Sequence, residues 1–317
     1  MQQTRIEQGT AYYLKFVEKY PTVHDLASAP LDDVMLLWEG LGYYTRARNL
    51  HKAAQQIVEH HHALLPSTYA GLLSLPGIGP YSAAAIASFA YDLPHVVVDG
   101  NVKRLISRYA GIKEVIDLPA THNRIHAIAS DLLGDNPAAI FNQAIMNFGA
   151  LICKPKPLCA ICPLSSGCFA YKHNIQLKLP LKTKKKPNTL RHFHFVVLHH
   201  RNKILFMRRD EQDIWQGLYT PPVIEKNSTR VPQHNQLLQF IEQQIGHFEI
   251  EYVSSSGVNE QLLSHQTIVA RHHHFKLKLA PKKVGKNFVW AHKASIQTIS
   301  KPRSVVNVID DYALMNI

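Results

Sequence analysis

No apolar run in the 317 residues approaches the roughly 20 needed to cross a bilayer as a helix. The opening MQQTRIEQGT lacks the basic start and apolar stretch of a secretory signal. The expectation is a soluble, intracellular protein with no membrane partner. Cysteine is scarce, four in all, so no disulfide framework of a small secreted domain is available. No internal repeat is visible, which sets aside solenoids and arrays. Charged residues make up only 18% against 46% hydrophobic, too apolar a balance for a chain whose main state is disorder. Acid is in short supply: 23 Asp+Glu face 35 Lys+Arg, a net of +12 with a pI near 9.5. That balance favours a polyanionic partner.

The length suggests two domains at roughly 150 residues each. Charge divides them. Residues 1–175 hold 14 Lys+Arg and 13 Asp+Glu, whereas residues 176–317 hold 21 and 10. Over 8–175, apolar residues recur at three-to-four spacing in TAYYLKFVEKY, LDDVMLLWEGLGYY and RARNLHKAAQQIVEHH. Thr22 and Ser67 precede helical patterns as N-caps, and Pro21, Pro30, Pro66 and Pro76 punctuate them. This predicts an all-α domain over 1–173. NIQLKLPLKTKKKPNTL, residues 174–190, has two prolines, five lysines and no acid, and reads as a basic linker. Beyond it, FHFVVLHH and KILFMRR are β-branched-rich runs separated by Arg201-Asn202, a hairpin signature. LLSHQTIVARHHHFKLKLAP reads as further strand and QLLQFIEQQIG as a short amphipathic helix, so 191–317 is α+β. The triple His272-His273-His274 falls along a strand and receives no function.

The four cysteines, Cys153, Cys159, Cys162 and Cys168, lie within 16 residues as C-x5-C-x2-C-x5-C. Structural zinc usually takes two separated knuckles. One short loop offering four thiolates suits a [4Fe–4S] cluster better. Lys154, Lys156 and Lys172 flank it, either as a solvated rim or as phosphate contacts.

LPGIGPYSAAAI, Leu75 to Ile86, sets Gly77 and Gly79 between two helical patterns, with small residues Ser82 to Ala85 allowing close helix packing. Such a helix–hairpin–helix presents backbone N–H groups at a helix N-terminus and can hold a phosphate without reading sequence. Seventeen residues after Ser82, Asp99 opens the helix NVKRLISRY. It is an N-cap by position, and the same carboxylate can stabilise a cationic transition state, since the helix mouth favours negative charge.

Hairpin, helix-opening Asp and four-cysteine loop, in that order, resemble the endonuclease III superfamily of DNA glycosylases, and within it the MutY-type adenine DNA glycosylases. The resemblance runs from Gln2 to about Ala170 on QQT at 2–4, GLGYYTRARNL at 40–50, LPGIGPYSA, VDGNVKR and FNQAIMNFGA. It implies a monomer with a helical barrel and cluster domain. Such a domain grips duplex DNA, flips out an adenine paired with 8-oxoguanine or guanine, and hydrolyses its N-glycosidic bond in base excision repair. The second half resembles that family's Nudix-like domain, where oxidised guanine is recognised, through KILFMRRDEQDIWQGLYTPP at 203–222 and LSHQ at 263–266. Ser264-His265 matches a Phe-Ser-His element with Leu263 in place of Phe. The glutamate cluster with which Nudix hydrolases hold magnesium is missing, which argues against nucleotide hydrolysis.

On this resemblance Asp99 is the catalytic carboxylate and Asn101 orients near it. Tyr81 stands where bifunctional relatives carry a Schiff-base lysine, implying a monofunctional enzyme. Tyr43 is the aromatic wedged beside the lesion, and Gln2 and Gln3 enter the base stack. The family's general acid is a glutamate four residues before the first Gln of QQT. That position would lie upstream of Met1, so the expectation is a longer reading frame. The competing readings are a lesion binder without catalysis and an endonuclease III-like lyase, the latter disfavoured by Tyr81. Glu7 faces away on its helix and is not promoted to acid. Asn147 departs from relatives that carry an acid near the adenine pocket, and the first cysteine gap is five residues rather than six.

Overall fold

The structure, a computed structural model, describes residues 4, 6–184, 186–210, 212–279 and 284–306. In chain order come α1 (Ile6–Lys19), α2 (Val23–Ser28), α3 (Leu31–Leu37), α4 (Thr45–His60), α5 (Tyr69–Leu73), α6 (Pro80–Tyr91), α7 (Gly100–Ala110), α8 (Pro119–Leu133), α9 (Ala138–Leu151) and α10 (Phe169–Lys172). There follow β1 (Thr189–His200), β2 (Lys203–Arg208), β3 (Tyr219–Thr220), β4 (Val223–Lys226), α11 (His234–Ile245), β5 (Ile250–Ser255), β6 (Asn259–Leu262), β7 (Gln266–Leu277) and β8 (Phe288–His292). The helical-then-α+β class read from the sequence is the class observed. Among the described residues no helix is long and apolar enough to cross a membrane.

The chain folds as two compact units, one of residues 1–55 with 187–317, the other of residues 56–186. This division differs from a single boundary at 174–190. In the first unit, β1 is buried from Phe193 to His199 because its run of Phe, Val and Leu is covered on both faces. Alternation sends Phe193, Phe195 and Val197 toward Val34, Met35 and Trp38 of the α3 region, and Val196 and Leu198 toward Leu237 and Ile241 of α11. The apolar stripe of α3 is thus spent on the sheet, a partner that helical periodicity alone does not name. Among the described residues the sheet runs β3-β2-β1-β7-β5, with β4 beside β1, β6 beside β7 and β8 beside β2. β1 and β7 are parallel from Thr189↔Gln266 to His199↔Lys276. The Arg201-Asn202 turn joins β1 to β2 antiparallel, His200 facing Lys203, with Arg201 left-handed at φ +51°.

In the second unit α5, a turn and α6 form the hairpin, and α7 packs on α9. The cap predicted at Ser67 is one residue later: Thr68 accepts from Gly71 N at 3.1 Å. Thr22 caps α2 as expected, with Asp25 closing a capping box. Asn142, buried on α9, fixes the segment leading to α7 by accepting from Val97 N (2.8 Å) and donating to His95 O (2.8 Å). The early part of 174–190 is not a free tether. Leu179 is buried, Leu181 bridges to Val115, and Thr183 N donates to Asp117 Oδ2 at 2.9 Å.

Candidate functional site

Asp99 stands at the N-terminus of α7 and its two oxygens are used differently. Oδ1 accepts from Asn101 N (2.8 Å) and Val102 N (2.7 Å), the cap; Oδ2 accepts from Asn101 Nδ2 (2.9 Å). The carboxylate is therefore fixed in orientation while Oδ2 keeps a free lone pair. Asn101 is itself held, since Arg104 Nη2 donates to its Oδ1 (2.9 Å) and to Gly149 O (2.7 Å), and Arg104 Nε to Cys153 O (2.8 Å). α9 comes so close that a Cβ on Gly149 would lie 2.9 Å from Asn101 Cβ.

Tyr81, one residue into α6, is half exposed beside Asp99. Burial and that carboxylate push its phenol above the ordinary value, so it stays neutral. With Tyr69, His95, His122 and His126 it lines a cavity of about 210 Å³. In the hairpin, Gly77 adopts φ +78°, a conformation that favours glycine, while Gly79 caps α6 with extended backbone and open space around it. Asn147 is exposed on α9 and accepts from Gln143 at 3.1 Å. Glu7 is exposed in the first turn of α1.

The four cysteines are free and line one cavity. Burial, then the neighbouring sulfurs of Cys162, Cys153 and Cys168, push the Cys159 thiol up. Beneath them Arg108 is buried, and it donates to Lys154 O (2.8 Å), Pro155 O (2.9 Å), Leu179 O (2.9 Å) and, at 3.5 Å, Cys153 Sγ. Among the described residues no three His, Cys, Asp or Glu side chains group so as to hold a single metal ion. A buried cation under four convergent thiols is a donor set that fits an iron–sulfur cluster.

In the first unit, the loop after α3 turns through Gly40 (φ +95°), Gly42 (φ +69°) and Tyr43 (φ +48°). The φ of Gly40 favours glycine, and a Cβ there would meet Tyr12 Oη at 2.5 Å and push that hydroxyl off Glu39 O. The loop presents Tyr43 outward, 48% exposed, and buries Tyr44 at 5%. Of the two adjacent tyrosines, Tyr44 is the core residue; burial raises its phenol to about 12. Arg46 lies over the Trp38 ring (5.2 Å) and the Tyr43 ring (5.7 Å) and donates to Leu41 O and Gly42 O. Ser264 and His265 occupy the tip between β6 and β7, closed by Leu263 N to Gln266 O at 2.8 Å. The Tyr43 hydroxyl is hydrogen-bonded to Ser264 Oγ. Loop and tip share a cleft of about 400 Å³ with Trp215, Gln261 and Arg303.

A family profile described as "HhH-GPD superfamily base excision DNA repair protein" matches residues 1–135. An adenine DNA glycosylase of Buchnera aphidicola subsp. Baizongia pistaciae is 35% identical over 254 residues, 76% of this chain and 71% of that protein. Its counterpart from Buchnera aphidicola subsp. Schizaphis graminum is 33% identical over 264 residues, 80% and 76% of the two chains. The chain belongs to the adenine DNA glycosylase family. The structure of a thermostable thymine-DNA glycosylase aligns with TM-score 0.50 and 29% identity, over 54% of this chain and 80% of that one.

Of the residues this glycosylase-family chain was expected to use, Asp99, Asn101 and Tyr81 come together in one unit, and Tyr43, Ser264 and His265 in the other. Gln2 and Gln3 lie outside the described residues. Sequence reasoning missed Arg104 and Arg108, which tie α7 to the cysteine loop. The signal was available, because two arginines four apart follow Asp99 on a short helix and must share one face.

Proposed function

We propose that this chain removes adenine mispaired with 8-oxoguanine or guanine in duplex DNA, by hydrolysing the N-glycosidic bond and leaving the strand uncut. The observation that carries this reading is the convergence of Tyr43 with Ser264 and His265 on one cleft, in a chain of the adenine glycosylase family. An aromatic beside hydroxyl and imidazole groups provides stacking and hydrogen bonds for a base. In the other unit Asp99 stabilises positive charge developing on the sugar, with its free Oδ2 lone pair held in place by Asn101. A neutral phenol at Tyr81, where a lyase needs an amine, supports the monofunctional assignment. Gly79, with open space around it at the N-terminus of α6, leaves room for a phosphate at the hairpin. Cys153, Cys159, Cys162 and Cys168 would hold a [4Fe–4S] cluster, whose iron–thiolate bonds would cross-link residues 153–168. By function we read 1–173 as the glycosylase and cluster region, 174–190 as basic linker and 191–317 as the Nudix-like region that reads the partner base, in an intracellular, nucleoid-associated monomer.

The test is single-turnover excision on a duplex with adenine opposite 8-oxoguanine, using this chain with and without an upstream segment that supplies a glutamate four residues ahead of Gln2. Free adenine without strand scission is the expected product. Direct scission, or binding without release in both forms, would sink the assignment.

A further inference from the structure

The segment Ser300–Val305 is buried at every position but one. Ser300, Lys301, Pro302, Ser304 and Val305 are inaccessible, and Arg303 alone is exposed. The segment is pinned to the loop that carries Tyr43. Lys301 Nζ pairs with Glu39 (3.2 Å), Lys301 N donates to the same carboxylate (3.3 Å), and Lys301 O accepts from Tyr44 Oη (3.3 Å). Lys301 is 4% exposed, so the anchor is an interior ion pair with its remaining hydrogen bonds supplied. Arg303 is thereby delivered to the rim of the Tyr43–Ser264 cleft. Among the described residues it has no hydrogen-bond or ion-pair partner, and none of the residues lining the cleft is an acid. An exposed guanidinium that no described residue neutralises, at the edge of a cleft whose described lining has no carboxylate, is arranged for an external anion.

We infer that Arg303 binds a phosphodiester of the DNA strand whose base enters this cleft. The inference rests on the proposed reading of the cleft as a base site. A base held by Tyr43 and Ser264 brings its own backbone phosphates to the rim, and a guanidinium engages a phosphate with two parallel N–H donors. Because Arg303 lies at the mouth rather than on the floor formed by Trp215, its contact is to the backbone and carries no sequence information.

The test compares Arg303→Gln, Arg303→Lys and Arg230→Gln with the unaltered chain on two duplexes, one with adenine opposite 8-oxoguanine and one undamaged, across a salt titration. Arg230 is exposed and does not line the cleft. Arg303→Gln should weaken both duplexes alike by roughly tenfold, the worth of one charge-assisted hydrogen bond. It should also flatten the slope of log K against log salt by about one. Arg303→Lys should recover the slope, and Arg230→Gln should leave slope and affinity unchanged. Since Arg303 is exposed, melting temperatures should agree and exclude misfolding. Equal slopes for the unaltered chain and Arg303→Gln overturn the inference. So does a loss of lesion preference with the slope intact, which would make Arg303 a base reader. If the unaltered chain does not prefer the lesion duplex, it is the reading of the cleft that fails, a separate result.

Discussion

The phenol of Tyr43 and the hydroxyl of Ser264 are hydrogen-bonded across 221 residues of sequence, joining a loop of the helical half to a hairpin tip of the sheet. Each side chain fixes the other. Tyr43→Phe and Ser264→Ala should therefore each reduce preference for a lesion duplex over an undamaged one, and the double variant should be little worse than either alone. Coupling of roughly 0.5–3 kcal/mol is the expected range for groups in direct contact. Strictly additive losses in a binding cycle would show that the two residues act independently.

Asp99→Asn separates charge from capping. Asparagine caps helices about as well as aspartate, so unfolding free energy should move by no more than a few tenths of a kcal/mol. Excision should fall by roughly 10²- to 10³-fold, the usual cost of losing one transition-state electrostatic contact. Single-turnover rates beside urea denaturation decide it; undiminished excision would remove Asp99 from the chemistry.

Arg104 holds Asn101, and Asn101 holds Asp99 Oδ2. Arg104→Gln strips donors from Gly149 O and Cys153 O as well. Stability should drop by about 1–3 kcal/mol, the cost of leaving such acceptors unpaired. Excision should slow while lesion binding is kept. Loss of binding in step with excision would mean global damage rather than misplacement of Asp99.

Cys159→Ser should abolish the broad absorbance near roughly 400 nm expected of iron bound by thiolates. The same variant should melt earlier, because residues 153–168 lose a cross-link. A colourless unaltered protein containing zinc would overturn the cluster assignment at once.

Five histidines are buried in β1 and β7: His194 against His273 (3.1 Å), His199 against His274 (2.9 Å), and His272. Burial is the main cause that lowers them, to about 3 for His199 and His272 and about 4 for the rest; neighbouring imidazoles add to it for all but His273, and Arg271 does so for His194 and His273. The folded chain then binds fewer protons than the unfolded one below pH 6.5. Their contribution to stability is complete above that value and is lost as pH falls toward 4. Melting temperature followed from pH 7.5 to 4.5 should decline, and His272→Phe should lessen the decline. A flat profile would rule the histidines out as its source.

Much of this was legible in the sequence because local rules governed it. The 3.6 period over α1 to α9, the cap at Asp99 and the Arg201-Asn202 hairpin each depend on residues within a few positions of one another. What escaped was set by partners distant in sequence. An amphipathic α3 announces that it will bury Val34 and Met35, but not that Phe193 and Phe195 will receive them. The lysine-rich 174–190 reads as tether by composition, yet Leu179 and Thr183 anchor its first half to the second unit. The histidine triplet gave no sign of burial, since the strands that flank it, β1 and β5, are distant from it or lie beyond a loop in sequence.

Tyr43 occupies a left-handed backbone conformation that costs an L-residue with a large side chain roughly 1–2 kcal/mol and glycine almost nothing. Substituting glycine there relieves that strain, set against loss of the Ser264 hydrogen bond and the Arg46 contact and the larger entropy of glycine in the unfolded chain. An engineer attending to backbone strain alone would be led to it, and would remove the ring proposed to stack on a base in the cleft. On the proposed reading of the cleft, backbone ease and recognition pull in opposite directions at this position, so a glycine variant should be checked first for its preference between lesion and undamaged duplexes.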